Sequence, residues 1–347
     1  ACAASATKMT AAWGSGTAVE GQIRGGAKTF SLMARLSYPV TDSINYGTYF
    51  DFSRNLYGGT TNLAQRQDQR DGGPYTSITN PFMPADVRDL LVKSGANSIY
   101  VARKFFNYPN PSQRFDRQNF TIGQSLSGDI GGKLKWEAYY QYGKTTSNIT
   151  SYNVAIYDAW QAARNVIADP VTGQPVCADP AARAAGCVPF NVFQTTPYSQ
   201  ALINYTSFTR ADRIETAQQM FGGNISGSAF ALPHGDLQFT LGVESRKDIL
   251  NERGDPRAGG PGTPQASKVG IIRQWGGQAP VLNDLQVSQR VSEAYVEVVA
   301  PVLKDVPLAQ LLQIEGAYRF SHYGNGIGDT STWKGGAIWS PFDGLWF

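Results

Sequence analysis

The feature that most constrains this chain is a period of two in its apolar residues, repeated in one segment after another. In the stretch LKWEAYYQYG (134–143), one parity carries Leu, Trp, Ala and Tyr, and the other carries Lys, Glu, Tyr and Gln. Such alternation indicates a β-strand with one apolar and one polar face. The pattern leaves open what covers the apolar face, which is a second protein layer in a soluble sheet and lipid in a membrane barrel.

The connections between the predicted strands alternate between short and long. Short turns such as PVTDS (39–43) and SGDIGGK (127–133) join neighbouring strands, whereas long excursions occupy about residues 55–113, 149–212 and 249–285. A meander with short turns at one rim and long loops at the other is the layout of an outer-membrane barrel, and a soluble Greek-key sandwich has no reason to follow it. We therefore predict an all-β, antiparallel, up-and-down transmembrane barrel segment with about ten strands of roughly 9–13 residues.

Two elements are predicted inside the first excursion. PADVRDLLVKSG (84–95) has Pro near its start and Gly near its end, as a short helix does. SIYVARKFF (98–106) is predicted to be a further strand or an extension of one beyond the membrane.

One parity of the predicted strands is almost wholly apolar, and we expect it to face lipid. A Lys or Arg on such a face would cost about 2–4 kcal/mol at the bilayer midplane, whereas the opposite parity carries charges such as Lys135, Glu137 and Arg246. Aromatic residues near the strand ends suit the interfacial girdles of a membrane protein. The residues predicted to face lipid are Leu134, Trp136, Ala138, Tyr140, Leu237, Phe239, Leu241, Val243, Val296, Val298, Leu312, Ile314, Trp333 and Trp339.

The composition agrees with a membrane protein built from strands but does not prove it. Charged residues make up 16% of the 347 residues, below the roughly 25% that is usual in soluble domains. No apolar run approaches the roughly 18 residues that a membrane-spanning helix requires. The net charge of +3 is small and the basic residues are dispersed, so we predict no nucleic-acid partner.

Two of the three cysteines lie close together in a polar segment. Cys177 and Cys187 fall in DPVTGQPVCADPAARAAGC (169–187), and we predict a local disulfide, with two free thiols as the alternative. A disulfide implies an oxidising compartment such as a periplasm or cell surface. Cys2 is predicted to be unpaired. Residues 1–27 lack the pattern of an export signal, and we assign no fold to them.

Three stretches carry a family likeness. They are EAYVEVVAPVLKDVPLAQLLQIEGAYRFSHYGNGIGDTSTWKGGAIWSPFDGLWF (293–347), WEAYYQYGKTTSN (136–148) and GCVPFNVF (186–193). Together they resemble the barrel domain of TonB-dependent outer-membrane receptors, especially those of the large proteobacterial branch. The resemblance extends over most of the chain from about residue 30. It implies a 22-stranded barrel, an N-terminal plug domain and active uptake of a scarce nutrient driven by TonB.

The chain departs from that family pattern in two respects. No plug domain is recognisable, and with it the segment that would contact TonB is missing; the predicted strands also make only about half of a 22-stranded barrel. An open sheet edge in lipid would leave backbone groups unpaired, at a cost of several kcal/mol each. We therefore expect residues 28–347 to form a partial transmembrane barrel, the chain to be one piece of a longer polypeptide, and Phe347 not to be its natural terminus.

Signals of catalytic or metal chemistry are weak, so we predict no enzyme activity, no metal and no cofactor. His234 and His322 lack the spacing to cysteine or histidine that a metal site needs. The GNGIG run (324–328) has no βα unit around it and is predicted to be a flexible loop. Glu293 and Glu297, four residues apart on one strand, should stand roughly 13 Å apart, farther than the 5–9.5 Å or so that a glycosidase pair requires.

The sequence thus predicts a TonB-dependent receptor in the outer membrane of a Gram-negative bacterium, taking up a siderophore, cobalamin or an oligosaccharide. Its expected partners are outer-membrane lipid and lipopolysaccharide, TonB through a plug segment, and the small-molecule or oligosaccharide ligand. The long loops would capture the ligand. Candidate contact residues in those loops are Trp160, Gln161, Arg164, Arg273 and Trp275.

Two alternatives stay open on the sequence alone. The first is a passive porin or structural outer-membrane barrel, which would have no plug-sized domain upstream. The second is a soluble secreted β-protein that binds or cleaves glycans, which would bury the face of Trp333 and Trp339 against protein.

Overall fold

The computed structural model describes residues 2–5, 8–11, 26–60, 66–67, 75–101, 103–104, 108–109, 112–194, 197–259, 272–273 and 282–347. One nine-stranded sheet dominates these ranges. Its strands are β1 (Ala27–Thr41), β2 (Ile44–Thr60), β3 (Ser112–Ile130), β4 (Leu134–Ala155), β5 (Ser207–Leu232), β6 (Gly235–Arg253), β7 (Leu285–Val306), β8 (Ala309–Tyr323) and β9 (Gly328–Ser340).

The strands of this sheet follow one another in chain order. Each strand pairs with the one before it and the one after it, and every pairing is antiparallel. The predicted all-β, antiparallel meander is therefore confirmed. Among the described residues the outer strands β1 and β9 are not paired with each other, so the sheet is open and the 22-stranded barrel stays a prediction.

The predicted strand count and strand lengths need correction. The sheet has nine strands, from 13 residues in β9 to 26 in β5, where about ten strands of roughly 9–13 residues were expected. The described residues of the segment 98–106 do not join the sheet, because their backbone pairs within the same loop. Ser98–Ile99 pairs with Thr76–Ser77, and Arg103–Lys104 pairs with Arg66–Gln67.

Short and long connections separate onto the two rims, as the sequence predicts. The short-turn rim joins β1 to β2, β3 to β4, β5 to β6 and β7 to β8. In the β3–β4 turn, Gly131 and Gly132 both have positive φ, a conformation that glycine adopts without strain. The opposite rim carries the connections 61–111, 156–206 and 254–284, together with the short connection 324–327.

The loops contain four helices within the described residues. The predicted helix in the first excursion is present as α1 (Ala85–Lys93), which ends ahead of Gly95 with φ +72°. The β4–β5 connection holds α2 (Tyr157–Arg164), α3 (Pro180–Ala184) and α4 (Gln200–Thr206). Asp179 caps α3 and Ser199 caps α4, each by accepting a backbone N–H with its side-chain oxygen.

Three further short strand pairs complete the described structure. Cys2–Ser5 pairs with Lys8–Ala11, Val166–Ala168 pairs with Pro175–Cys177, and Ala258–Gly259 pairs in parallel with Ile272–Arg273. In the described part of the chain, none of the helices combines the length and the apolar composition that crossing a membrane requires.

Candidate functional site

The sheet has one apolar face, and the register aligns that face from strand to strand. Directly paired residues of neighbouring strands point to the same side of a sheet. One row of such partners runs through Trp136, Ile225, Leu241, Val296, Tyr318 and Trp333. The register and the alternation within each strand place every residue that we predicted to face lipid on this side, which we call the outer face.

Large apolar side chains on the outer face are exposed in this structure. The exposed fraction is 82% for Trp333, 61% for Val243 and 60% for Phe221. Leaving one such side chain in water forgoes about 1.5–3 kcal/mol relative to burying it. Soluble monomers rarely expose contiguous apolar patches of this kind, so the outer face requires an apolar partner.

Aromatic residues border the apolar part of the outer face at both ends. Tyr46, Trp136 and Trp339 lie toward the short-turn rim, and the Trp339 indole N–H donates to the Leu308 carbonyl at 2.9 Å. Phe52, Phe120 and Tyr142 lie toward the long-loop rim, with the last two rings 5.6 Å apart. Aromatic residues, in particular Trp and Tyr with a hydrated N–H or O–H group, are typical of the two membrane–water interfaces.

Beyond the loop-side aromatics the outer face becomes charged. Arg54 pairs with Asp116 at 2.6 Å, and Lys144 pairs with Glu215 at 3.0 Å. On β4 the apolar stretch from Leu134 to Tyr142 covers about 26 Å along the strand. A strand tilt near 40° would reduce that to roughly 20 Å, close to the apolar band of about 25 Å in outer-membrane barrels.

The opposite, inner face is held together by polar cross-strand contacts. The Tyr49 hydroxyl donates to Gln141 Oε1 at 2.7 Å, and the Tyr139 hydroxyl donates to Glu244 Oε2 at 2.8 Å. Lys334 forms an ion pair with Glu315 at 2.7 Å. These groups are satisfied by one another and by solvent, so the inner face is suited to water or to a polar surface.

Glycines on the inner face make room for tyrosine rings. Tyr49 lies across its cross-strand partner Gly123, and Tyr295 lies across its partner Gly242. A Cβ at either glycine would overlap the ring. These glycines therefore permit a close side-chain approach that no other residue allows.

A recess of about 720 Å³ lies on the inner face toward the long-loop rim. Its lining combines amide and hydroxyl groups with apolar side chains such as Leu250 and Val287, and two hydrogen bonds fix part of it. Gln218 Nε2 donates to Asp248 Oδ1 at 2.8 Å, and Thr145 Oγ1 donates to Asn119 Oδ1 at 2.8 Å. Such groups can both donate to and accept from a neutral polar ligand.

The β4–β5 loop forms a small folded unit around Trp160. Its indole is 0% exposed and lies 5.3 Å from the Tyr108 ring and 5.4 Å from the Phe190 ring. The predicted disulfide is present, since Cys177 and Cys187 are bonded beside this cluster. The loop is therefore held by a hydrophobic core that it shares with Tyr108 of the 61–111 connection.

The structure corrects the ligand-contact role that we predicted for two residues of α2. Trp160 and Arg164 are 0% and 2% exposed, so neither can reach a ligand while the cluster stays closed. Burial lowers the pKa of Arg164. The helical spacing of Ala159, Trp160 and Ala163, all three buried, was the available sequence signal for a packed face.

The other three ligand-contact candidates have different positions. Gln161 is half-buried, and both polar atoms of its side chain are buried without a hydrogen-bond partner in the described structure. Arg273 contributes backbone to a short strand. Its side chain, and the whole of Trp275, lie outside the described residues.

A buried carboxylate, which sequence reasoning missed, organises the start of the β6–β7 loop. Asp255 Oδ2 accepts from the Ala211 N–H at 3.0 Å and from Arg257 Nη2 at 2.7 Å. Its own N–H donates to Asp212 Oδ1 at 3.0 Å. Burial acts to raise the pKa of Asp255, but Arg257 and two backbone N–H groups outweigh it and lower the pKa to about 2.

No protein-family model and no curated protein matches this sequence. Similar solved structures include the RagAB peptide transporter, with 8% identity and a TM-score of 0.47 over 91% of this chain and 30% of that chain. The siderophore receptor PirA from Acinetobacter baumannii has 15% identity and a TM-score of 0.42, over 92% of this chain and 32% of its own.

A mutant of the ferric enterobactin receptor PfeA from Pseudomonas aeruginosa has 14% identity and a TM-score of 0.42, over 92% of this chain and 32% of its own. This chain thus spans about a third of the length of these three structures. Since each TM-score is below 0.5, we base the functional conclusions on the faces, rims and charges of this chain.

Proposed function

We propose that this chain is a barrel segment of a TonB-dependent outer-membrane receptor that takes up a scarce nutrient. The observation that carries the proposal is the exposed apolar band of the outer face, bordered by aromatics at both ends and backed by a polar inner face. Outward-facing apolar residues that alternate with inward-facing polar ones define a strand-built membrane wall.

In this proposal the lipid chains cover the residues that we predicted from the sequence to face lipid. Lipid hydrocarbon provides apolar contacts for Val243 and Trp333, whose side chains would otherwise be exposed to water. Every backbone group in the hydrocarbon must be hydrogen-bonded, and the continuous antiparallel ladder meets that demand between β1 and β9. The outer edge of β1, and that of β9 apart from Trp339, whose backbone pairs with Phe347, require further strands as partners, in keeping with a larger barrel.

The inner face would line a wet lumen, and the long-loop rim would face the outside of the cell. The neutral amide and hydroxyl groups of the recess are suited to a polar nutrient on its way through the barrel. Coupling to TonB, the plug that would carry the contact, and the identity of the nutrient rest on the family resemblance of the sequence. Gln161 stays a candidate ligand contact, but both polar atoms of its amide are buried and lack a hydrogen-bond partner among the described residues, so a ligand would reach them only if the loop cluster opened.

Membrane embedding can be tested with brominated lipids, which quench a tryptophan that they touch. A variant that keeps only Trp333 should be quenched strongly after reconstitution, because this ring is 82% exposed on the outer face. A variant that keeps only Trp160, buried in the loop cluster, is the matched control and should not be quenched. A Trp333 signal that bromination leaves unchanged would contradict the proposal, as would a protein that stays in aqueous buffer without detergent.

Energy coupling needs a separate test in cells. Uptake of the nutrient on which growth depends should stop when tonB is deleted and should return with a plasmid copy. Uptake that persists without TonB would instead favour a passive pore.

A further inference from the structure

Two basic residues on the outer face are direct cross-strand partners. Lys247 on β6 is paired in register with Arg290 on β7. Both lie on the same side as Val243 and Ala294, at the level where the apolar band gives way to charge. Like charges placed opposite each other in a sheet are destabilising, so this arrangement needs a compensating group.

Within the described residues, no carboxylate directly adjoins the pair. Its neighbours on the outer face are Gln219, Ser245, Ile249, Ser288, Ser292 and, beside Ser292 on β8, His322. Asp329 on β9, the carboxylate on that side, is hydrogen-bonded to the His322 imidazole. Within the described ranges neither Lys247 nor Arg290 makes an ion pair.

Other basic residues of the same charged region differ in this respect. Arg54 has Asp116 and Lys144 has Glu215 as a partner. Among the described residues, the pair of Lys247 and Arg290 is therefore a concentrated positive charge without an acidic partner, as an anion site requires.

Hydroxyl groups and apolar side chains adjoin the pair on the membrane side. The Ser245 and Ser292 hydroxyl oxygens lie 3.5 Å apart, one position closer to the apolar band on the outer face. Val243, Ala294 and Phe320 follow directly below them. Two cations and two hydroxyls thus lie at headgroup level above a surface that fits acyl chains.

We propose that Lys247 and Arg290, assisted by Ser245 and Ser292, bind the phosphate of a membrane lipid in the leaflet on the long-loop side. A phosphate carries more than one negative charge and several acceptor oxygens, so it can engage both cations and a hydroxyl together. The apolar residues below the site favour a lipid over free phosphate, because acyl chains add burial that the free ion lacks. The proposal rests on the membrane placement proposed above and not on transport.

The test measures lipid binding to the detergent-purified protein by native mass spectrometry. The probes are lipopolysaccharide with its lipid phosphates, the same lipid after enzymatic dephosphorylation, and inorganic phosphate. Lys247→Gln and Arg290→Gln should each weaken binding of the phosphorylated lipid by about tenfold, the effect of losing one charge-assisted hydrogen bond. Lys144→Gln is the matched control and should bind as the unchanged protein does.

Each other outcome overturns a stated part of the proposal. Equal binding of the phosphorylated and dephosphorylated lipids would overturn it, as would an equal loss in Lys144→Gln. Inorganic phosphate binding as tightly as the lipid would refute the lipid as the source. If Trp333 is quenched by brominated lipid but lipid phosphate has no effect, this inference alone fails; if Trp333 is not quenched, the proposed function fails.

Discussion

At the scale of single residues, the least expected feature is the buried Asp255. Its side chain is 3% exposed and bridges the end of β6 to the start of β5 through Arg257 and the Ala211 N–H. Nothing in the local sequence marks this aspartate, because its partner in β5 is 44 residues away. The sequence shows that residue 255 is an aspartate, whereas only the fold shows that its carboxylate joins β6 to β5.

Asp255 predicts an acid-sensitive loop. The folded-state pKa of about 2 lies below the unfolded value of about 3.9, so the ionised carboxylate stabilises the fold above pH 4 or so and the effect is lost as the pH falls toward 2. We expect Asp255→Asn to remove about 2 kcal/mol at neutral pH and to abolish this pH dependence.

The readout is the hydrogen-exchange protection of the Ala211 N–H, compared between the variant and the unchanged protein at each pH. Asp86→Asn, at an exposed position in α1, is the control. Equal protection of Ala211 in the Asp255 variant and the unchanged protein would contradict the assignment.

At the scale of elements, the alternation of apolar and polar residues predicted the strands well, whereas the helical spacing of apolar residues in α2 was not used to predict which of them are buried. The period of two and the short turns are local signals, so strand order and the two faces followed from them. Trp160, which we predicted to contact a ligand, is instead buried in a core with Tyr108 and Phe190. Those partners are distant in sequence, and only folding brings them together.

The pairing of Tyr295 with Gly242 gives a prediction about β6 and β7. Gly242→Val should destabilise the sheet by about 1–3 kcal/mol, because the new side chain would overlap the ring. Gly316→Val is the control, since a Cβ at Gly316 meets nothing within 4 Å. The midpoint of urea unfolding in detergent reports the difference. Adding Tyr295→Ala should restore the stability of the Gly242 variant, and a failure of this rescue would show that the overlap is not the cause.

At the scale of the whole molecule, one apolar face has to be covered across nine strands. We expect Leu241→Lys, inside the apolar stretch 237–243 of β6, to reduce folding into lipid vesicles by about 2–4 kcal/mol, the cost of a lysine near the bilayer midplane. Thr240→Lys, on the inner face of the same strand, should fold almost normally. The folded fraction at increasing urea, measured by the shift in electrophoretic mobility, compares the two. Equal effects of the two substitutions would argue against lipid on the outer face.

The sequence by itself determined the strand alternation, the meander order and the apolar parity, and it favoured the disulfide between Cys177 and Cys187 over two free thiols. These features depend on neighbours a few residues apart, and alternation, turn residues and cysteine spacing record such relations directly. Only the tertiary structure decided that Trp160 is buried, that Asp255 holds two strands together and that Lys247 faces Arg290. Register and loop packing join residues that are far apart in the chain, and those contacts arise from the free energy of the whole fold.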